Sequence, residues 1–365
     1  MRKTKKIINS ILVILVVSIG FTFIFNNKFK RDLSIEKWDN IYNENNINFF
    51  YSNEDEDKIK ILKQTYNLEE KVKDEKDLIK KAIRVSEALN EIITFDDIPS
   101  SNKINGFDIL KEKNGSKKAS GRDLGIIYRD FLQSLGYTAR LGEFKRTNVA
   151  FSKEKSYYVV EFWSKEYNKW IMIDFIDRGY FDNKDFPCSA MELLDIDIRN
   201  LNYTGNSKRS DYIPMLKKVL YTYTISIDNT STMEKSNSYI TYIKDEDDIA
   251  LKFKGNFLPP TIFTENKDIM NRNPIENSVI KDEKAYIVLM KKQENNEEDN
   301  SKAKSFIIGG FKDGKILDEY YIREKEGEFI KVKKYKDILL TEGDNIFELS
   351  LNGKDVISSI EIYFK

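Results

Sequence analysis

The chain has 365 residues, room for two ordinary domains and one further segment. Its 60 Lys and Arg balance its 60 Asp and Glu, so no global field directs it to nucleic acid. It contains no histidine and a single cysteine, Cys188, which excludes an intramolecular disulfide, a Cys/His zinc site and any mechanism resting on imidazole. Neither a metal nor another cofactor is expected.

In chain order, Arg2, Lys3, Lys5 and Lys6 precede an uncharged apolar run over residues 7–25. As a helix such a run would span roughly 28 Å, close to the bilayer core. The expectation is a single-pass membrane anchor over 1–30, with the bulk of the chain outside the cytoplasm. A cleaved signal peptide is the competing reading, against which stands the lack of a small-x-small cleavage motif. Residues 31–74 are polar and read as a stalk. Leu78, Ala82, Val85, Leu89 and Ile92 recur at helical spacing, and a loop follows over 96–105. Ser120, with Asp123 three positions on, opens a second helix whose buried stripe is Leu124, Ile127, Tyr128, Phe131 and Leu135, ended by Gly136. Residues 137–141, 157–163 and 170–175 read as strands, the last two forming a hairpin.

Beyond residue 215 the texture changes. Tyr221, Tyr223, Ile225 and Ile227 alternate with polar residues, the period of a half-buried strand. Further strands are expected at 239–243, 249–253, 286–290, 306–311, 316–322, 346–351 and 357–363, with Asp313-Gly314 and Asn352-Gly353 as hairpin turns. The division that results is anchor 1–30, stalk 31–74, an α+β domain 75–212 and a C-terminal antiparallel β-sandwich 213–365.

The phrases Gly121-Arg122-Asp123-Leu124-Gly125, Leu135-Gly136-Tyr137-Thr138-Ala139-Arg140, Tyr157-Tyr158-Val159-Val160-Glu161-Phe162 and Trp170-Ile171-Met172-Ile173-Asp174 occur in this order over roughly residues 75–200. Together they resemble the transglutaminase-like family, of papain-type fold. The resemblance implies a cysteine at a helix start, a histidine on the next strand and an aspartate on the one after. At those positions this sequence carries Gly121, Tyr157 and Asp174. A thiolate held at a helix start, deprotonated by an imidazole that a carboxylate orients, is the chemistry implied. With only the carboxylate retained, acyl transfer loses on the order of 10⁶ in turnover.

No other residue takes over. Ser120 has no base beside it and reads as a helix cap. Cys188 reads as a structural cysteine. The acidic run 245–248 lacks the spacing of a calcium loop. The lysine-rich stretch 331–336 is a solvated strand face before it is a polyanion site. The aromatics Tyr157, Tyr158, Trp163 and Trp170 are core before they are a sugar platform. The expectation is a noncatalytic, degenerate transglutaminase-like module at the cell surface. Its old cleft, at Gly121, Tyr157 and Asp174, would bind a peptide, cell-wall or polysaccharide ligand in envelope assembly. The alternative is a peptidase or acyltransferase of unorthodox mechanism.

Overall fold

The computed structural model describes residues 33–145, 156–244, 259–291 and 305–365. Eight helices among them are labelled in chain order. These are α1 (Asp57–Thr65), α2 (Leu68–Val72), α3 (Leu78–Ile92), α4 (Gly106–Glu112), α5 (Gly121–Ser134), α6 (Ala190–Asp195), α7 (Arg209–Lys217) and α8 (Lys267–Asn271). The principal strands are β1 (Leu33–Trp38), β2 (Ala139–Lys145), β3 (Tyr157–Ser164), β4 (Lys169–Ile173), β5 (Thr222–Ser226), β6 (Tyr239–Tyr242) and β7 (Thr261–Thr264). After them come β8 (Tyr286–Met290), β9 (Ser305–Lys312), β10 (Glu319–Glu324), β11 (Ile330–Lys333), β12 (Tyr335–Leu339), β13 (Gly343–Ser350) and β14 (Ser358–Phe364).

The centre of the molecule is a six-stranded sheet in the order β7-β6-β5-β2-β3-β4. Helix α5 packs on one face of it through Leu124, Ile127, Phe131 and Leu132, against Val160, Phe162, Ile171 and Ile173. Every residue from Asp123 to Ser134 is buried, so the expected apolar stripe is widened by α1, α3 and α4 around it. Asp77 starts α3 by accepting from the amides of Ile79 and Lys80 at 2.8 and 2.9 Å. On the opposite sheet face, Val159, Met172, Phe144 and Tyr223 pack under α6, α7 and α8.

The expected fold, an α+β transglutaminase-like domain followed by an antiparallel β-sandwich and preceded by a membrane helix, needs correction. The chain is a mixed α/β structure. Strands β5 and β6, assigned from sequence to the sandwich, and β7, where no strand was expected, instead extend the central sheet: Thr224 pairs with Glu143 of β2, and β6 runs parallel to β7. Period-two alternation identifies a strand but not its neighbour. Both faces of β5 are covered, which all five of its residues show by being buried. The stretch read as a stalk likewise supplies β1, which pairs antiparallel with β14, Leu33 opposite Phe364.

The remaining strands form two antiparallel sheets around one core. One has the order β1-β14-β13-β10-β11, and in the other β9 lies between β8 and β12. Ile287, Phe306, Ile308, Ile322, Leu349 and Ile360 meet between them. The Asp313-Gly314 turn has both residues left-handed, at φ 53° and 81°, as a tight hairpin requires. The membrane helix expected over residues 7–25 lies outside the described residues, as do the strand at 249–253 and the acidic run 245–248. Among the described residues no helix is long and apolar enough to cross a membrane.

A close approach between β2 and β5 gives a first prediction. A Cβ on Gly142 would lie 2.0 Å from the Tyr223 hydroxyl oxygen. Gly142→Ala is expected to destabilise the fold by about 1–3 kcal/mol, as overpacking does, read by urea denaturation; an unchanged midpoint contradicts the sheet order.

Candidate functional site

Ser120 caps α5 as its sequence position suggests: its Oγ accepts from the Asp123 amide at 3.1 Å and lies 2.9 Å from the Ser100 hydroxyl. Asp123 does not reach back to the cap. It is fully buried and both its oxygens accept from the Ser101 amide, at 3.1 and 2.9 Å. Arg122 donates to the carbonyl of Ser101 at 2.9 Å. The 96–105 loop is thereby fastened across the first turn of α5.

Gly121 opens that helix. A Cβ built there would meet Tyr158 Cδ2 at 3.4 Å, Phe95 Cε2 at 3.6 Å and Ile176 Cδ1 at 3.9 Å. The side chain facing Gly121 from β3 is therefore Tyr158. Alternation along the strand turns Tyr157 to the other face, where it packs with the core under α6 and α7 while Tyr158 packs with α5. Phe95, 45% exposed, and the half-buried Tyr158 close over the place a nucleophile would occupy.

Tyr157 and Asp174 do come together. The Tyr157 hydroxyl donates to Asp174 Oδ2, and so does the Tyr212 hydroxyl, from α7, at 2.5 Å. Asp174 Oδ1 accepts from the amides of Ile176 and Asp177 at 3.0 and 2.9 Å. Burial pushes the Asp174 carboxyl above the usual carboxylate range, opposed by the bonds from Tyr157 and Tyr212. Burial first, then the Asp174 charge, holds both phenols well above their ordinary value. Neither is a base. Tyr212 also stacks on Tyr203, rings 4.2 Å apart and 10° from parallel, and Tyr203 donates to Asp177. The structure thus unites Tyr157 with Asp174, sets Gly121 against Tyr158, and adds Tyr212, which the sequence reading missed.

A second polar cluster lies deeper on the same sheet face. Arg140 and Glu161, 1% and 0% exposed, are neighbours across β2 and β3. Arg140 donates to Glu161 Oε2 through Nε at 2.9 Å and Nη2 at 2.6 Å, and to the Met270 carbonyl at 2.7 Å. Its guanidinium lies 3.9 Å over the Trp170 ring. Glu161 also accepts from the Tyr223 hydroxyl and the Ala190 amide, each at 2.8 Å. Burial depresses the Arg140 pKa, but Glu161, Tyr223 and Tyr51 together outweigh it and the net shift is upward. The signal was present in the sequence as lone charges inside apolar strands, which are buried only when paired.

The other candidates fall to structural roles. Cys188 is 1% exposed, and burial, then Glu192, pushes its thiol up to about 12. Lys331, Lys334 and Lys336 lie against Glu319, Asp318 and Glu324, so three of the four lysines of the basic stretch have an acidic partner. Trp163 and Trp170 are buried edge to face, 5.6 Å apart. Among the described residues no group of His, Cys, Asp and Glu is placed to hold a metal ion.

No family model matches this chain, and no curated protein matches it. Among solved structures, one from Cytophaga hutchinsonii, described as a "Putative Cysteine Protease", is similar at 12% identity and a TM-score of 0.27. The match covers 43% of this chain and 44% of that one, so the chain spans under half of its length. A likeness that weak carries no argument about fold or activity.

Two predictions follow from the buried groups. Arg140→Met leaves Glu161 charged and unpaired and is expected to cost about 3–5 kcal/mol in chemical denaturation. Cys188, raised from 9.0 to about 12, keeps its proton in the folded state where the unfolded chain loses it. Its contribution is full below pH 9.0 and is lost as pH rises towards about 12. The buried tyrosines shift in the same direction. Stability is expected to fall through this alkaline window, followed by circular dichroism, and Cys188→Ala should flatten the slope in part.

Proposed function

We propose that this chain is a noncatalytic binding module with a degenerate transglutaminase-like core, acting at the cell surface in envelope or surface-polysaccharide assembly. One observation supports the reading above others: both oxygens of Asp174 are occupied, by two phenols and two main-chain amides. A carboxylate so engaged has no partner to orient for proton transfer. No imidazole exists in the chain to be oriented. Gly121 supplies no nucleophile, and Ser120 spends its hydroxyl on capping.

What remains at the start of α5 is an aromatic face, Phe95 and Tyr158 over a glycine. Such a face suits stacking against a peptide or a sugar ring. The ligand class and the envelope setting come from the sequence resemblance, and the fold similarity adds nothing to them.

The test is turnover and binding on one preparation. The purified protein, given an amine donor with an acyl donor, or casein, is expected to show no activity above buffer. Turnover that disappears in Ser120→Ala or Cys188→Ala would establish the acyltransferase alternative instead. Sedimentation with isolated cell-wall material is expected to be weakened about tenfold in Phe95→Ala, the loss of one stacking contact; equal binding would remove the α5 face from the proposal.

A further inference from the structure

Asparagine followed by glycine is chemically labile, because without a Cβ the glycine amide approaches the asparagine side-chain carbon unobstructed. The sequence has three such pairs, at 105–106, 114–115 and 352–353. The fold treats them unequally. Asn105 is 1% exposed and caps α4, its Oδ1 accepting from the Asp108 amide at 2.9 Å. Its own amide group donates to the Ser231 carbonyl at 3.0 Å, and the Gly106 N–H is already given to Asp130 at 2.7 Å. At 352–353, Asn352 Oδ1 accepts from the amides of Lys354 and Asp355 at 2.9 and 3.0 Å. Its Nδ2 donates to Asp355 at 2.7 Å, and the Gly353 N–H to Ser350 Oγ at 3.0 Å.

Asn114 and Gly115 differ on every count. Both are exposed in the turn after α4. Among the described residues no hydrogen bond holds the Asn114 side chain or the Gly115 N–H. Gly115 takes φ +88°, with no atom within 4 Å of where its Cβ would be.

We propose that Asn114 is a site of spontaneous modification, the pair among the three that cyclises in the folded protein. Hydroxide removes the Gly115 amide proton and the nitrogen attacks Asn114 Cγ. The new C–N bond closes a succinimide as the side-chain nitrogen leaves as ammonia. Water then opens either ring carbonyl, giving aspartate or isoaspartate at 114. The product places a carboxylate among Lys111, Lys113, Lys117 and Lys118. Lys113 Nζ lies 3.9 Å from Asp123, the residue that fastens the 96–105 loop to α5. The modified turn also leads into Lys118–Ala119, which pairs with Thr94–Phe95 beside Gly121. Modification therefore acts on the surroundings of the aromatic face, and the chemistry stands whether or not that face binds a ligand.

The full chain is kept folded in mildly alkaline buffer, and peptide mapping follows amide-to-acid conversion and isoaspartate at each of the three positions. Asn114 is expected to convert about tenfold or more ahead of Asn105 and Asn352, whose hydrogen bonds must break first. In denaturant the three rates should draw together. Asn114→Gln, with a longer side chain at an exposed position, should abolish the signal at 114 with the circular dichroism unchanged. The proposal fails if Asn105 or Asn352 keeps pace in the folded protein, or if Asn114 stays intact there while the denatured chain converts it.

Discussion

The buried pair of Arg140 and Glu161 is the constraint around which the central sheet is assembled. Taking two charges out of water costs several kcal/mol per ion, so the pair persists only because nearly every lone pair and proton around it is answered. Those answers come from distant parts of the chain: Tyr223 in β5, the start of α6 at Ala190, the end of α8 at Met270, and Trp170 of β4 beneath the guanidinium. The Trp170 indole in turn donates to the Arg272 carbonyl at 2.9 Å, and Arg272 donates to the Ile47 carbonyl at 2.5 Å. One ion pair thus registers the sheet, two helices and the N-terminal segment to one another. Such an arrangement specifies which elements meet, where an apolar core alone would leave more freedom.

Local structure was largely legible. The α3 and α5 stripes follow from periodicity, and the hairpin of β3 and β4 and the 286–290 strand from aromatic and β-branched runs, signals that depend on residues a few places apart. Partnership between strands leaves no such mark. Thr222 to Ser226 reads as one face wet and one dry, yet it lies between two strands and under helices, so its threonines are buried, and Thr224 bonds to Thr241 at 2.7 Å. The six residues of β1 carry Glu36 and Lys37 and look like a tether, because an edge strand keeps charges that a central one would not.

The candidate site divides in the same way. Tyr157 and Asp174 are expected together from the family resemblance, and the hairpin that carries them is a local relation. Tyr212, 38 residues from Asp174, completes the cluster from a helix that no pattern connects to the hairpin. Gly121 was expected opposite Tyr157, but a single step of strand register decides which of two adjacent tyrosines faces the helix, and it is Tyr158. The Asp174 carboxylate binds α7 to the end of β4 through its hydrogen bonds, so it holds elements together.

The pairing of β1 with β14 has a mechanical consequence. Leu33 lies opposite Phe364, and Trp38 opposite Ile360, so the two strands run antiparallel with their outer ends side by side. Tension applied between residue 33 and residue 364 would load the ladder one bond at a time, as a zipper opens, because antiparallel hydrogen bonds lie perpendicular to the strands. A pull on residue 33 against a grip at residue 358, the opposite end of the ladder, would instead load the same bonds in shear and meet more resistance. Peeling would strip a single edge strand and leave the sheet behind it standing.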